Sequence, residues 1–422
     1  MDIHVEKFGG ASVNSASAVR NVVKLLKATP KCRAVVVSAM GKTTNALERL
    51  AKHSFETGKL DEDTLKEVQT YHFQVINELF GDRAEAIREK VNALLKEMKN
   101  IIISCETDSY DKFYDAVVSF GEILSTAVIT EYLKAESVEH QLVMAFDIIK
   151  TDACHRSANV LWEQTQKAID ENVVPYLRNE YMVITQGFIG GVYQQSVRTT
   201  LGREGSDYTA AILSYCLRAT DCTIWKDVDG LRNADPKIVE RTSKIEQLPY
   251  AEAIELSYYG ATIIHPKTLK PLENGDIPLY VKSFLEPQLP GSKICRCETI
   301  KPYVTSFIFK DNQALLSILS KDLSFIAEEN LSGIFAVLAR NKVKVNLMQN
   351  SALSFSICFD DNGELPQLVE ELQPYYRVLY NLNLRLVTLR HYSQDDIDEI
   401  VRQSVIIMEQ RSRTTAQFLI KK

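Results

Sequence analysis

Apolar positions along this chain alternate at first and then wind. Ile3 and Val5 alternate with polar neighbours as a half-buried strand does. Val19, Val22, Val23 and Leu26 then recur at helical spacing from a start at Asn14 and Ser15, and 34–37 is a continuous apolar run of strand length. The pattern predicts a βαβ unit with parallel strands and a right-handed crossover. That places the Gly9-Gly10 turn at the carboxyl end of the first strand, where open α/β sheets bind their ligands. Between 45 and 100 the spacing is helical, with Leu65, Val68, Val75, Ile76 and Leu79 in register, and these helices are expected to cover the sheet. Further strands are predicted at 142–145, 182–185, 223–226 and 279–281, and helices at 113–134, 158–170 and 207–217. Such alternation implies an α/β fold, a layered sandwich around a mostly parallel sheet.

The stretch EPQLPGSK (286–293) breaks the pattern with two prolines, a glycine and a serine. The expected division is therefore 1–285, a linker over 286–300, and 301–422. Past the linker the periods shorten: strands at 307–309 and 315–319, a helix at 331–340, and strands at 343–348 and 355–359. A second such unit follows, with a strand at 384–389, a helix at 395–403 and strands at 405–408 and 416–420. Units of that size predict a pair of small α+β modules.

A chain of 422 residues, 45% hydrophobic and 25% charged, has ordinary globular composition and room for two or three domains. Its formal net charge of -6 supplies no overall basic field, so nucleic acid is not an expected partner and any polyanion must be met locally. No basic segment followed by an apolar run opens the chain, and no stretch approaching 18 apolar residues is evident. A soluble, cytoplasmic protein without membrane contact is expected. The eight cysteines are scattered, and Cys295 and Cys297 have no second close pair with which to build a zinc site. Reduced structural thiols are expected.

Four stretches carry candidate chemistry. In KFGGAS (7–12) the glycine pair is either a plain tight turn or a place where a polyanion approaches backbone N–H groups beside Lys7. In TTLGREGSDYTAA (199–211) two glycines, Arg203, Ser206 and Asp207 precede an apolar helix. Ser206 or Asp207 can simply cap that helix, but a cap needs neither Arg203 nor Gly202, and anion recognition uses both. Glu122 is the only charge in 116–130, and a carboxylate on so apolar a helix needs a cation, from a structural base or from a ligand. WKDVDGLRNADPK (225–237) is turn chemistry, or else a strand end where Arg232 and Lys237 reach phosphates. A fifth stretch, SAMGKTTN (38–45), adds another glycine-containing loop after the second strand.

KFGGAS, SFGE from Ser119, TLGREGSD from Thr200, WKDVDGLRNADP from Trp225 and GATIIHP from Gly260 follow one another in an order and spacing that resembles the aspartokinases. The region after Lys301 is similar to the paired ACT modules of that family. The resemblance implies the amino acid kinase fold, followed by regulatory modules. It further implies transfer of the γ-phosphoryl of MgATP to the β-carboxylate of L-aspartate, giving 4-phospho-L-aspartate on the way to lysine, threonine and methionine. A carboxylate nucleophile is already ionised at neutral pH, so the demand falls on positive charge and N–H donors rather than on a general base.

By motif position the resemblance implies that Lys7, Gly9 and Gly10 cradle the phosphoryl group, with Ser12 near the phosphates and Asp207 orienting lysine and loop. Arg203 is implied for the α-carboxylate of aspartate, Ser206 and Thr44 for hydrogen bonds to it, and Glu122 for its ammonium. Lys226, Asp227, Arg232 and Lys237 fall on the nucleotide side.

Three departures stand out: Thr262 replaces a lysine that contacts ATP in many relatives, Glu204 replaces a glycine beside Arg203, and Ala11 replaces a threonine. Lys226 is the expected substitute for the missing charge. At Asn346 and Ala352 lysine-inhibited relatives carry acidic residues, so the effector is expected to be lysine bound weakly, or threonine. A homodimer or larger homo-oligomer through the ACT region is also implied. With no homoserine dehydrogenase segment after Lys422, the enzyme is expected to be monofunctional. Two alternatives stay open: a glutamate or N-acetylglutamate kinase of the same fold, or a non-catalytic amino-acid-binding regulator.

Overall fold

A computed structural model describes residues 2–28, 33–105, 107, 109–261, 264–322 and 324–421. The chain divides into two compact units, one of Met1–Leu231, Ile245–Ile254 and Ile263–Ile300, the other of Arg232–Lys244, Glu255–Thr262 and Lys301–Lys422.

In the first unit, β1 (His4–Phe8), β2 (Arg33–Val37), β3 (His140–Leu142), β4 (Met182–Gln186), β5 (Asp221–Lys226), β6 (Gln247–Pro249), β7 (Leu279–Ser283) and β8 (Ser292–Cys295) form one sheet, in the order β6-β8-β7-β5-β1-β2-β4-β3. The pairs are parallel except β7 with β8. Every residue of β2 is buried, as its unbroken apolar run requires of a central strand covered on both faces. The principal helices are α1 (Ala16–Ala28), α2 (Thr43–Thr57), α3 (Glu62–Phe80), α4 (Ala84–Ser104), α5 (Tyr110–Val118), α6 (Phe120–Ala135), α7 (Trp162–Asn172), α8 (Gly205–Leu217) and α9 (Pro266–Gly275). Val19, Val22 and Leu26 of α1, Leu47 and Leu50 of α2 and Val75 and Ile76 of α3 join Phe8, Val35 and Val37 of the sheet in one core. Each such side chain contributes about 1.5–3 kcal/mol by leaving water.

Several expectations need correction. The predicted strand at 142–145 ends at Leu142, and Ala145–Ile148 is a helical turn. The helix expected from 158 begins at Trp162, because the Ala158 N–H is already held by the Thr200 carbonyl. The helix expected over 113–134 is two helices meeting at Ser119. The segment 286–300, expected as a linker, contains β8, which pairs with both β6 and β7. Its prolines and glycine make the turn into that strand. Tyr110–Ala135 is, by length and composition, apolar enough to cross a membrane, contrary to the expectation of no such run, but most of it is buried within the protein.

The second unit is built on β9 (Ser306–Leu319), α10 (Glu328–Arg340), β10 (Val345–Asn350), β11 (Ser354–Asp360), α11 (Leu365–Leu372), β12 (Arg377–Arg390), α12 (Gln394–Gln403), β13 (Ile406–Arg411) and β14 (Thr415–Lys421). Its strands form one antiparallel sheet in the order β10-β11-β9-β12-β14-β13. The strands expected at 307–309 and 315–319 are a single strand, β9. Asp311-Asn312-Gln313 looks like a turn in the sequence, but it is a bend within the strand where the register shifts. Asn312 of β9 and Asn383 of β12 both have φ of +56°, a left-handed conformation that asparagine tolerates better than most residues. These bends divide both long strands. Leu316, Ile334, Leu338, Phe355 and Leu368 fill a core on one side of them, and Val387, Leu389, Ile397 and Phe418 fill another.

Candidate active site

β1 and β5 run side by side with Lys7 aligned with Ile224, so the two strands deliver Lys7 and Lys226 to the same end of the sheet. The loop after β1, the loop after β2 and the N-terminus of α8 meet there around a cavity of about 650 Å³. Lys7, Gly10, Thr44, Glu122, Arg203, Ser206, Asp207 and Lys226 all line it. Motifs separated by most of the unit's length thus converge on one space.

Lys7 Nζ lies 2.5 Å from Asp207 Oδ1, with only 11% and 5% of the two side chains exposed. Asp207 sits in the first turn of α8, where the helix dipole favours a carboxylate. Gly10 has no room for a side chain, since a Cβ there would come within 2.8 Å of the Gly41 carbonyl oxygen. A Cβ on Gly9 would crowd Lys7 Nζ at 3.3 Å. The glycine pair therefore does more than turn the chain: it lets two loops close on each other beneath the lysine. Ser12, buried in the same loop, has a hydroxyl with no hydrogen-bond partner among the described residues.

Glu122 lies in the first turn of α6 and reaches the loop after β2. Its Oε1 accepts the Ala39 N–H at 3.2 Å, while Oε2 is buried without a hydrogen-bond partner. Burial pushes its carboxyl up to about 8, against the smaller opposing pull of the Ala39 N–H, its own backbone and Lys7. An orphaned, fully buried carboxylate oxygen beside a cavity is the signature of a group whose partner arrives with the ligand.

Arg203 is exposed and makes no ion pair among the described residues. Glu204, the unusual neighbour, does not engage it: Glu204 Oε2 accepts the His265 N–H at 2.8 Å. Glu204 has φ of +53°, the left-handed conformation that a glycine would take without strain. Thr44 lies in the first turn of α2 and Ser206 in that of α8.

The remaining expected residues are not gathered into this cavity. Asp227 follows β5 directly and is exposed. Arg232 and Lys237 belong to the second compact unit, where the Arg232 guanidinium donates to the Thr242 hydroxyl at 3.0 Å and the Lys237 N–H donates to Asp235. Thr262 lies outside the described residues. Among the described residues no group of three or more histidine, cysteine, aspartate or glutamate side chains is placed to hold a metal ion.

Sequence reasoning missed Glu48, Tyr114 and Arg156 on the cavity wall. The Arg156 guanidinium lies over the Tyr114 ring at 4.6 Å and contacts Asp111 at 3.2 Å, and the Tyr114 hydroxyl donates to Glu48 at 2.5 Å. Beneath them Asp115, wholly buried, accepts from the Thr200 hydroxyl at 2.6 Å and the Arg156 N–H at 3.0 Å, and pairs with His155 at 2.7 Å. Burial raises its carboxyl pKa against those bonds. Arg156 has φ of +64° and stands in no recognisable motif, so only an aspartate among apolar residues, Asp115, signalled the network.

Residues 2–283 match the amino acid kinase family. The lysine-sensitive aspartokinase 3 of Escherichia coli is 32% identical over 92% of this chain and 87% of its own length. The chloroplastic aspartokinase 3 of Arabidopsis thaliana is 32% identical over 97% of this chain and 74% of its own. The crystal structure of E. coli aspartokinase III with aspartate and ADP superposes with a TM-score of 0.83 at 28% identity, covering 100% of this chain and 96% of that one. The same enzyme with lysine and aspartate gives 0.82. With the family match over most of the chain and relatives aligned nearly end to end, this protein belongs to the aspartokinases.

Proposed function

We propose that this protein is an aspartate kinase in which Lys7, Glu122 and Arg203 divide the recognition of two anionic substrates. The observation that carries the reading is Glu122, a buried carboxylate with one unpartnered oxygen on the wall of a cavity that also presents Lys7 and Arg203. An α-amino acid supplies the missing cation as its ammonium, and its α-carboxylate suits the fork of Arg203. Thr44 and Ser206 line the same cavity and supply hydroxyl partners.

In this reading a β-carboxylate oxygen of aspartate attacks the γ-phosphorus of ATP as the bond to the bridging oxygen breaks. ADP takes the electron pair, and no proton need move. Negative charge builds on the transferring oxygens, and Lys7 meets it with the N–H groups of the Gly9-Gly10 loop. Asp207 keeps Lys7 charged and aimed. Lys226 takes nucleotide phosphates from the far side, in place of the family lysine at Thr262. Asp227 lies beside it, and Ser12 supports the loop. We assign Arg232 and Lys237 to the nucleotide on motif position alone. Mg2+ binds through phosphate oxygens with one or two carboxylates. With no metal-ligand cluster among the described residues, it would enter on the nucleotide.

We further propose that the second unit is a paired ACT-like region, regulated by an amino acid, lysine or threonine, and joining protomers through exposed apolar residues such as Met348 and Leu379. The deciding assay is ADP release with aspartate, glutamate, N-acetylglutamate or no acceptor. Aspartate alone should support turnover, and preference for either other acceptor, or none, would overturn the reading.

A further inference from the structure

Neighbouring side chains on a strand point to opposite faces. β1 sends Lys7 to the catalytic cavity and Glu6 to the reverse face of the sheet, and β5 does the same with Lys226 and Trp225. On that reverse face lies a second cavity, of about 740 Å³.

Most charges in its wall are matched within the protein. Glu6 pairs with Arg33 at 3.1 Å, the two side chains 8% and 6% exposed, and the Trp225 indole N–H donates to Glu6 at 3.3 Å. His4 contacts Asp221 at 2.9 Å. Counting His4 as neutral, three basic side chains, Lys24, Arg33 and Lys282, face two acidic ones, Glu6 and Asp221, which leaves one positive charge in surplus. Lys24 on α1 and Lys282 on β7 line the cavity and make no ion pair among the described residues, and Lys282 Nζ sits 5.8 Å from the centre of the Trp225 ring. Arg33 is also not fully engaged, because its Nε is buried without a hydrogen-bond acceptor among the described residues. Leu25, Leu285 and Pro287 supply an apolar rim, Leu285 with 65% of its surface exposed. Surplus positive charge around a tryptophan and an apolar rim selects an anion with an apolar body.

We infer that this cavity is a second ligand site, for a small organic anion with an aromatic or aliphatic body, back to back with the catalytic cavity across β1 and β5. The site rests on its own walls and is independent of the roles assigned to Lys7 or Arg203. Its occupant reaches each catalytic lysine through a single peptide bond, from Glu6 to Lys7 and from Trp225 to Lys226.

Trp225 itself reports on the site, since Trp162 is the only other tryptophan in the chain. In a Trp162→Phe protein held at saturating ADP and aspartate, phenyl phosphate should quench Trp225 fluorescence saturably, with Kd below about 1 mM. Inorganic phosphate and phenol, each carrying half of the recognised chemistry, should bind at least tenfold more weakly. Lys24→Glu/Lys282→Glu should weaken phenyl phosphate at least tenfold while leaving ADP release from ATP and aspartate unchanged. Absence of a saturable signal, displacement by ADP, or an unaltered Kd in the double variant would overturn the site, and equal binding of inorganic phosphate would overturn its apolar selectivity.

Discussion

Lys7 and Asp207 form a buried ion pair 2.5 Å long that joins the end of β1 to the first turn of α8. Removing one partner therefore strands the other. Lys7→Met should lower kcat by at least about 100-fold, the scale of losing one transition-state donor. It should also cost stability, about 3–5 kcal/mol for an uncompensated buried charge. Lys7→Met/Asp207→Asn should recover much of the stability and none of the turnover. Denaturant melts and steady-state rates on the three proteins separate the two effects. Near-normal kcat in Lys7→Met would remove Lys7 from the chemistry.

Glu122 makes aspartate binding depend on pH. Its folded-state carboxyl is raised from 4.5 to about 8 by burial, so the free protein binds its proton more tightly than the unfolded chain does. That stability is complete below about 4.5 and is lost as pH rises through about 8. Aspartate, bringing an ammonium, favours the ionised form, so its affinity should rise with pH up to about 8. Glu122→Gln should flatten both profiles. Calorimetric titration in buffers of different ionisation enthalpy should detect proton release on aspartate binding. A pH-independent affinity would mean that Glu122 serves only the Ala39 loop.

Arg203→Lys should raise the KM for aspartate about tenfold or more, because an ammonium cannot reproduce a two-pronged grip contributing about 1.5–3 kcal/mol. The KM for ATP should change little. An unaltered aspartate KM would make Arg203 a surface residue.

At Glu204 two terms oppose each other. Glu204→Gly relieves the +53° backbone strain and loses the bond to the His265 N–H, so its net change in stability should stay within about 1 kcal/mol of zero. Glu204→Ala keeps the strain and loses the bond, and should be the less stable variant by thermal unfolding. The reverse ranking would show that the carboxylate bond does not matter.

The proposed response to an amino-acid effector turns on Asn346, an amide beside an acid, Asp360, that is already engaged by Asn346 at 3.1 Å and by Lys310 at 3.9 Å. Asn346 spends both ends of its amide inside the sheet, donating to Gln313 at 2.8 Å and accepting from Lys310 at 2.9 Å. It offers no anion to a lysine side chain. At subsaturating aspartate, lysine alone should inhibit weakly, and threonine at least comparably. Potent inhibition by lysine alone would refute this charge argument.

What could be read from the sequence was what local spacing encodes. The β1-α1-β2 unit follows from Val5, Val19, Val22 and the run at 34–37, Glu122 stands out as a lone carboxylate on an apolar helix, and Lys7, Arg203 and Asp207 stand out beside glycine-containing loops at a strand end and a helix start. Non-local pairing was hidden. β8 looks like a linker because its turn residues outweigh four strand positions. β9 looks like two strands because Asp311-Asn312-Gln313 is polar, yet Gln313 is fully buried against the partner strands. Arg156 could not be found because its place on the cavity wall depends on Asp115 and Tyr114, some forty residues upstream.

The bend shared by β9 and β12 makes the two halves of the second unit's sheet unequal in the chain. The half holding α12, β13 and β14 takes its remaining strands from 306–310 and 384–390, on either side of the other half. It is a host interrupted by a guest. Splicing 311 directly to 384 would leave the host's strands all present and nearly adjacent, whereas no single excision removes the host and spares the guest's attachment. Insertions and losses should therefore be tolerated in the guest half, while the host half and the segment leading into it have to be inherited together.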